Sequence, residues 1–217
     1  DLIKKQSNPT IALLIKKGYI EVRITAKAET LEAAQELLNP WDAIIRERLG
    51  SRVGRDLTIS MEETLGRTLL KEHSTISTAE SCTSGLVGKL LTNVSGSSEY
   101  YMGGVISYSN DVKHRVLGVP QDMLDIYGAV SEQVAKAMAE GARIVGQTTY
   151  AVSTTGIAGP GGGTQEKPVG LVWFGVTGPH GTVAHKANLI GNREDIRQSA
   201  AELALYYVYT YITEKGK

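Results

Sequence analysis

Strand-like and helix-like segments alternate along most of this 217-residue chain, and that alternation constrains its fold more than any other feature. From Ser60 onward, apolar runs of strand length alternate with segments that carry apolar residues at helical spacing. This pattern predicts an α/β domain with helices on both faces of a sheet. The last two strand-like runs flank a turn at residues 178–181 and predict a hairpin. The fold class is therefore a three-layer α/β/α domain with a mixed sheet.

The first 57 residues predict a separate and smaller α+β unit. Two apolar runs flank a Lys-Lys-Gly turn, and the clean alternation of the second run, at residues 19–25, predicts a hairpin with one buried face. A helical pattern follows from about Thr30, and Pro40 is predicted to end or kink that helix. We therefore predict two domains, residues 1–57 and 58–217.

Composition excludes several classes of function. Lys+Arg and Asp+Glu balance at 23 each, so the chain has no overall field that would attract nucleic acid or a membrane surface. No apolar run approaches the roughly 20 residues that cross a bilayer. Cys82 is the single cysteine, which fits a reducing compartment and predicts a cytoplasmic protein. The four histidines and Cys82 show no metal-binding spacing, so we predict no metal site.

The strongest functional candidate is the segment 79–85, with the sequence Ala-Glu-Ser-Cys-Thr-Ser-Gly. It lies where a strand-like run meets a helical pattern, and the unpaired N–H groups of a helix start favour an anion or a developing oxyanion. Ser81 at this junction is either a nucleophile or an ordinary helix cap. Cys82 is either a rival nucleophile or a small buried residue.

A serine nucleophile needs a base, and the histidines allow no Ser/His/Asp arrangement to be proposed from spacing. A lysine that is held neutral can replace histidine. Lys113 falls in the first turn of a helix that Asn110 is predicted to cap, where the helix dipole disfavours a positive charge. It is either a general base or a solvated surface lysine. Tyr108 either donates a hydrogen bond to a reacting oxygen or is a packed residue.

A glycine-rich segment, residues 156–163, is the second functional candidate. Such loops can wrap a phosphate with backbone N–H groups, and the alternative is a flexible lid or a plain connection. The chain has no Walker A loop. Arg193 and Arg197, early in the last helical segment, either hold a phosphate or carboxylate or are ordinary surface charges.

Five sequence blocks, in order, resemble the CinA C-terminal family, the nicotinamide mononucleotide deamidases. The blocks are AESCTSG at 79–85, YSN at 108–110 with Lys113, GAVS at 128–131, GIAGPGG at 156–162 and KPVG at 167–170. The resemblance covers about residues 60–215, and residues 1–57 resemble the KH-like middle segment of full-length CinA proteins. Since the chain begins with Asp1 rather than Met, we expect a part of a longer protein that has a further CinA domain upstream.

The resemblance implies a Ser-Lys amidohydrolase of pyridine nucleotide (NAD) recycling. It would convert nicotinamide mononucleotide to nicotinate mononucleotide and ammonia without a cofactor or metal. Ser81 would be the nucleophile, Lys113 the base and Tyr108 an assisting group, and N–H groups of the helix after Ser81 would bind the oxyanion. The implied substrate-binding residues are Thr83, Thr155, Gly156, Gly159, Gly161 and Arg193.

The resemblance also implies a homodimer. The balanced charge and the lack of a membrane-spanning apolar run predict no nucleic-acid or membrane partner. The chain departs from the family pattern at Ser84, where glycine is common, and at Asn192, where aspartate is common. Neither departure removes a catalytic group.

Two other classes of function stay open on the sequence. The first is a non-catalytic nucleotide-binding module of a larger CinA protein, which would bind the same ligand without turnover. The second is nucleic-acid binding through residues 1–57. KH modules clamp RNA with a GxxG loop, whereas Gly50 and Gly54 are spaced GxxxG, which disfavours this reading.

Overall fold

The computed structural model describes residues 2–16, 19–49 and 59–215. The chain divides into two compact units, Asp1–Thr58 and Ile59–Lys217. The predicted loop that contains Gly50 and Gly54 lies outside the described residues. None of the described helices combines the length and the apolar character that a bilayer-crossing helix needs.

The first unit contains the predicted hairpin. Strand β1, Thr10–Lys16, pairs antiparallel with β2, Tyr19–Thr25. Ile11 lies opposite Ile24 and is buried, whereas Ile20 on the same apolar face is 64% exposed. The hairpin is confirmed, but within this unit its apolar face is covered only at the end that holds Ile11.

The helix of the first unit, α1, spans Leu31–Leu49 and contains Pro40. The prediction that Pro40 could end the helix is therefore wrong. Proline removes one N–H donor from a helix, and the helical bonds on either side of Pro40 are sufficient to keep these 19 residues in one element.

The second unit is built on a five-stranded sheet with the order β4-β3-β5-β6-β7. Strand β3 pairs parallel with β4 on one side and with β5 on the other, and β6 and β7 complete the sheet as an antiparallel hairpin. The predicted mixed sheet is confirmed. The strands are β3, Ile76–Glu80; β4, Tyr101–Ile106; β5, Tyr150–Gly156; β6, Leu171–Gly178; and β7, Gly181–Asn188.

Helices cover both faces of this sheet, which confirms the three-layer arrangement. One apolar cluster joins α2, α3 and α7 to one face, and a second joins α4, α5 and α6 to the other. The helices are α2, Met61–Lys71; α3, Leu86–Thr92; α4, Asn110–Leu117; α5, Gln121–Tyr127; α6, Glu132–Gly146; and α7, Arg193–Thr213.

The start of α4 differs by one residue from the prediction. Ser109 is the N-cap, and its hydroxyl accepts the N–H of Val112 at 3.2 Å, so Asn110 is the first residue inside the helix. Both residues are good caps, and the sequence alone could not choose between neighbours. The shift leaves Lys113 within the first helical turn.

Candidate active site

The predicted site residues come from the carboxyl ends of three neighbouring parallel strands. Ser81 directly follows β3, Tyr108 lies two residues after β4, and Thr155 is near the end of β5. Because α3 leaves β3 toward one face of the sheet and α4 leaves β4 toward the other, a crevice opens between these two strand ends. This topology explains why segments far apart in the chain meet here.

A cavity of about 190 Å³ occupies the crevice. Of the residues predicted from the sequence, its wall contains Ser81, Tyr108, Lys113, Thr155, Gly156 and Arg193. The wall is completed by residues that lie in the quoted sequence blocks but were not assigned a catalytic or substrate-binding role, namely Cys82, Asn110, Ala129, Val130 and Ala158. Thr83, Gly159 and Gly161 are not among the described residues of the wall.

Ser81 and Lys113 meet although 32 residues separate them in the chain. The Nζ atom of Lys113 lies 3.2 Å from the Oγ atom of Ser81, within hydrogen-bond distance. The backbone N–H of Ser81 donates to the carbonyl of Thr154 at 2.9 Å, so β5 holds the residue at the sheet edge. The Ser81 hydroxyl therefore points at a lysine amine, and the interpretation of Ser81 as an ordinary helix cap finds no support.

Lys113 is almost completely buried, with 1% of the residue's surface exposed, so it is not a solvated surface lysine. Besides Ser81, its Nζ atom contacts the carbonyl oxygens of Ser107 at 2.7 Å and Tyr108 at 3.3 Å. Burial lowers the pKa of Lys113 from 10.5 to about 8. From the sequence, the helix dipole was the reason to expect a neutral Lys113, whereas in the structure the main cause of its lowered pKa is desolvation.

Cys82 lies beside Ser81 on the cavity wall but is poorly suited to be a nucleophile. Only 5% of its surface is exposed, and burial raises the pKa of its thiol to about 12. Because the thiolate is the reactive form, the thiol is inert at neutral pH. The reading of Cys82 as a small buried residue agrees with this environment.

Glu80 is a supporting residue that the sequence reasoning missed. Its carboxylate is 2% exposed and accepts the Thr83 hydroxyl at 2.7 Å, together with the N–H groups of Gly85 at 2.7 Å, Val87 at 3.1 Å and Gly88 at 2.9 Å. These N–H groups belong to the start of α3. The prediction that the start of this helix faces a substrate oxyanion is therefore wrong for Gly85, Val87 and Gly88.

The Glu80 carboxylate also explains why Thr83 is buried, and the backbone conformation explains why glycine is common in the family at the position of Ser84. The Thr83 side chain is fully buried between Glu80 and Thr154. Its hydroxyl donates to the Glu80 carboxylate at 2.7 Å and lies 2.7 Å from the Thr154 hydroxyl, so it supports the turn from beneath. Ser84 has a φ of +49°, a left-handed conformation in which glycine is less strained. This backbone conformation is a physical reason for glycine to be common at this position.

Arg193 connects three parts of the site. Its guanidinium donates to the carbonyl of Gly159 in the glycine-rich loop at 2.7 Å and to the hydroxyl of Tyr108 at 3.3 Å. Gly159 thus contributes a backbone carbonyl that orients Arg193. Among the described residues of the wall, Lys113 and Arg193 alone carry charge, and both charges are positive.

The glycine-rich loop is anchored on both sides of its tip. Beside the bond from Arg193, Lys167 donates to the carbonyl of Tyr127 at 2.8 Å, and the N–H of Gly170 donates to the carbonyl of Ile157 at 2.8 Å. These contacts disfavour the interpretation of the loop as an unattached lid.

Thr155 holds a neighbouring segment of the cavity wall in place through a side-chain hydrogen bond. Its hydroxyl donates to the carbonyl of Ala129 at 2.7 Å, which places the Ala129–Val130 part of the wall.

Arg197 lies one turn after Arg193 on α7 and binds backbone rather than the cavity. Its Nε donates to the carbonyl of Cys82 at 3.1 Å and its Nη2 to the carbonyl of Thr83 at 3.0 Å. The sequence suggested either phosphate binding or ordinary surface charge for Arg197. The structure instead shows a bidentate contact with two backbone carbonyls of the turn that follows Ser81. The only sequence signal for this contact was that Arg193 and Arg197 are one helical turn apart and therefore lie on the same face of a helix.

Across residues 2–16, 19–49 and 59–215, no three His, Cys, Asp or Glu side chains come together in a way that could hold a metal ion. The chemistry available at the cavity is thus that of a hydroxyl, a buried amine, a phenol and a guanidinium.

Two family models match the chain, one for each unit. The CinA C-terminal domain matches residues 58–212, and the KH domain of the damage-inducible protein CinA matches residues 1–53. The chain belongs to the CinA family. Its second unit is the CinA C-terminal domain, and its first is the KH-like domain, as the sequence blocks predicted.

Individual CinA relatives agree with this assignment. A competence-damage inducible protein of Clostridium novyi is 43% identical over 216 residues, which are 100% of this chain and 52% of that protein. A CinA-like protein of Kosmotoga olearia is 45% identical and covers 96% of this chain, which in turn covers 50% of it. The chain spans about half the length of the curated relatives that it matches.

A solved structure shares the fold of the CinA C-terminal domain. The competence/damage inducible protein CihA from Agrobacterium tumefaciens is 39% identical and superposes with a TM-score of 0.66, covering 70% of this chain and 96% of that one.

Proposed function

We propose that the chain is a nicotinamide-nucleotide amidohydrolase that hydrolyses the carboxamide of nicotinamide mononucleotide to nicotinate mononucleotide and ammonia. The observation that carries the proposal is the contact of 3.2 Å between the Ser81 hydroxyl and the buried amine of Lys113. A hydroxyl becomes a nucleophile when an adjacent base can take its proton. Lys113, with a pKa of about 8, is partly neutral near physiological pH and can act as that base.

The hydrogen bonds around Lys113 suit the neutral amine. A neutral amine has two hydrogens and one lone pair. The carbonyl oxygens of Ser107 and Tyr108 can accept both hydrogens, which leaves the lone pair for the hydroxyl hydrogen of Ser81. The backbone around Lys113 therefore orients its lone pair toward the nucleophile.

The reaction proceeds in two halves. Lys113 accepts the hydroxyl proton while the Ser81 oxygen bonds to the carboxamide carbon. The carbon–nitrogen bond then breaks, and the Lys113 ammonium returns the proton to the leaving nitrogen, which departs as ammonia. In the second half, Lys113 takes a proton from water, the hydroxide adds to the acyl carbon, and the Ser81 oxygen leaves with that proton. Water is the only co-reactant.

Tyr108 is assigned an assisting role. Its hydroxyl accepts a hydrogen bond from Arg193, so its own hydrogen is available to a ligand in the cavity. A phenol in this position can donate to the leaving nitrogen or to a reacting oxygen.

The charge of the wall supports an anionic substrate. Arg193 is cationic, and a guanidinium has five N–H donors, of which the contacts to Gly159 and Tyr108 use two. Arg193 can thus also donate to the phosphate of a mononucleotide. Of the glycine-rich segment, Gly156 and Ala158 line the cavity.

The decisive experiment is ammonia release from nicotinamide mononucleotide by the purified chain, followed by mass spectrometry of the nucleotide product. We expect nicotinate mononucleotide from the wild type and none from Ser81→Ala, whose thermal melting temperature should match the wild type. Ser98→Ala is the matched control, since Ser98 is an exposed serine that is not on the cavity wall, and it should retain full activity.

Undiminished turnover by Ser81→Ala would overturn the assignment of the nucleophile. Tight binding of the nucleotide without any ammonia release would instead favour the non-catalytic nucleotide-binding module. The homodimer and the upstream CinA domain stay predictions from the family resemblance, and the cytoplasmic location stays a prediction from the single cysteine.

A further inference from the structure

Arg197 makes a contact that neither the catalytic pair nor the phosphate-binding role uses. It lies on α7, more than 100 residues from the turn after Ser81, and donates to two successive carbonyls of that turn, Cys82 at 3.1 Å and Thr83 at 3.0 Å. The planar guanidinium is a rigid fork, so two such bonds fix the orientation of both peptide groups.

The orientation of these two peptide groups determines whether carbonyl oxygens or N–H groups face the cavity next to Ser81. In a trans peptide the N–H points away from the C=O. Since the carbonyls of Cys82 and Thr83 point to Arg197, the N–H groups of Thr83 and Ser84 point away from the Arg197 guanidinium. Neither N–H has an acceptor among the described residues, and Cys82 itself lies on the cavity wall.

Glu80, whose charge is opposite to that of Arg197, binds the next part of the same turn. Its carboxylate takes the N–H groups of Gly85, Val87 and Gly88, so these are not available to a substrate. An anion thus binds the N–H groups of the helix start, and a cation binds the carbonyls of the turn before it. Between these two clamps, the peptides at residues 82–84 keep free N–H groups.

We infer that Arg197 is a positioning residue for the reaction at Ser81: it turns the Cys82 and Thr83 carbonyls away from the cavity so that the Thr83 and Ser84 N–H groups face the oxygen of the carboxamide. This inference rests on the proposed amidohydrolase function. Preoriented N–H donors stabilise the negative charge that develops on that oxygen in the tetrahedral intermediate. Loss of Arg197 lets either peptide rotate, which presents a carbonyl oxygen to the same charge.

The test compares Arg197→Met and Arg197→Lys with the wild type in the full 217-residue chain. Arg115→Met is the control, because Arg115 is an exposed arginine whose partner is the exposed Asp111. For Arg197→Met we expect kcat to fall by about 100-fold, the size of effect seen when an oxyanion donor is lost, with KM changed less than about threefold. Arg197→Lys should retain an intermediate kcat, and added guanidinium ion should restore part of the rate of Arg197→Met.

Hydrogen exchange gives a readout that does not depend on the substrate. Backbone amides of residues 81–88 should exchange faster in Arg197→Met than in the wild type, while Arg115→Met leaves them unchanged. Should Arg197→Met fail to fold, the same comparison is made with Arg197→Lys. Unchanged kcat in the folded Arg197 variants, or a raised KM at unchanged kcat, would overturn the inference, the latter because it would indicate direct substrate binding.

A fluorophosphonate probe separates this inference from the proposed substrate. The probe labels an activated serine and places a negative oxygen where the oxyanion would form. If the wild type releases no ammonia but is labelled at Ser81, the nicotinamide mononucleotide assignment fails while slower labelling of the Arg197 variants still supports positioning. Equal labelling rates of wild type and Arg197→Met would contradict it.

Discussion

The side-chain nitrogen of Lys113 lies closer to the carbonyl oxygen of Ser107, at 2.7 Å, than to the hydroxyl of Ser81, at 3.2 Å. The carbonyl is the stronger anchor and fixes the amine within the fold, while the longer contact leaves the serine hydroxyl free to move toward a substrate. With a pKa of about 8, the anchored amine changes protonation near physiological pH. The first two predictions follow from this property.

The rate of ammonia release should rise with pH through the pKa of Lys113. The base must be neutral to accept the Ser81 proton, so kcat/KM should increase about tenfold per pH unit below pH 8 and level off above it. The measurement is a pH–rate profile of the wild type from about pH 6 to about pH 10. Lys113→Met should be inactive across the whole range, and a profile without any slope below pH 8 would contradict the role of Lys113.

The same pKa predicts a pH-dependent difference in stability between wild type and Lys113→Met. Below pH 8 Lys113 is protonated in both the folded and the unfolded state, and the folded state bears the whole cost of the buried charge. Between pH 8 and pH 10.5 the folded state releases the proton while the unfolded state keeps it, so the free energy of unfolding of the wild type rises with pH. Lys113→Met lacks this gain.

Urea denaturation at several pH values measures the difference. Relative to Lys113→Met, the wild type should gain roughly 2–3 kcal/mol between pH 7 and pH 10.5. A control with an exposed lysine, Lys71→Met, should show no such trend. A stability difference between wild type and Lys113→Met that does not change with pH would mean that Lys113 is not desolvated in the folded state.

Cys82 should be dispensable for activity. Burial keeps its thiol protonated well above neutral pH, so it offers no nucleophile to a substrate. We expect Cys82→Ala to retain kcat within about threefold, and iodoacetamide to modify the native thiol far more slowly than the unfolded one. Loss of ammonia release on a conservative change at Cys82, with the fold intact, would reopen its role as a nucleophile.

Glu80 should contribute strongly to the stability of the second unit. Its buried carboxylate accepts four hydrogen bonds, and an amide in its place would turn one acceptor oxygen into a donor that faces other N–H groups. Glu80→Gln should lower the free energy of unfolding by about 2–3 kcal/mol, measured by urea denaturation at pH 7. Glu99→Gln, at an exposed glutamate, is the control and should change it by less than about 0.5 kcal/mol.

Periodicity was enough to predict most of the fold. The mixed sheet, the hairpin of β6 and β7 and the helices on both faces each follow from local patterns of apolar residues, which the buried clusters then satisfy. Two details depend on packing rather than on a local pattern. Ser109 rather than Asn110 caps α4, and of the two outcomes predicted for Pro40, an end or a kink, α1 excludes the end because it continues through this residue.

For the candidate site, residue types and spacing identified the segments that the fold brings together: the turn with Ser81, the helix with Lys113, the glycine-rich loop and the arginine pair. Only the tertiary structure decided what each side chain does, because burial and long-range contacts are invisible in a local pattern. Burial lowers the pKa of Lys113 and keeps the Cys82 thiol protonated. Glu80 occupies the N–H groups at the start of α3, and Arg197 binds backbone carbonyls instead of a ligand. The sequence identified the candidate reactive groups. The packing of β3, β4, β5 and α7 determined which groups each of them contacts, because a pKa and a hydrogen bond depend on the surroundings of a residue and not on its type alone.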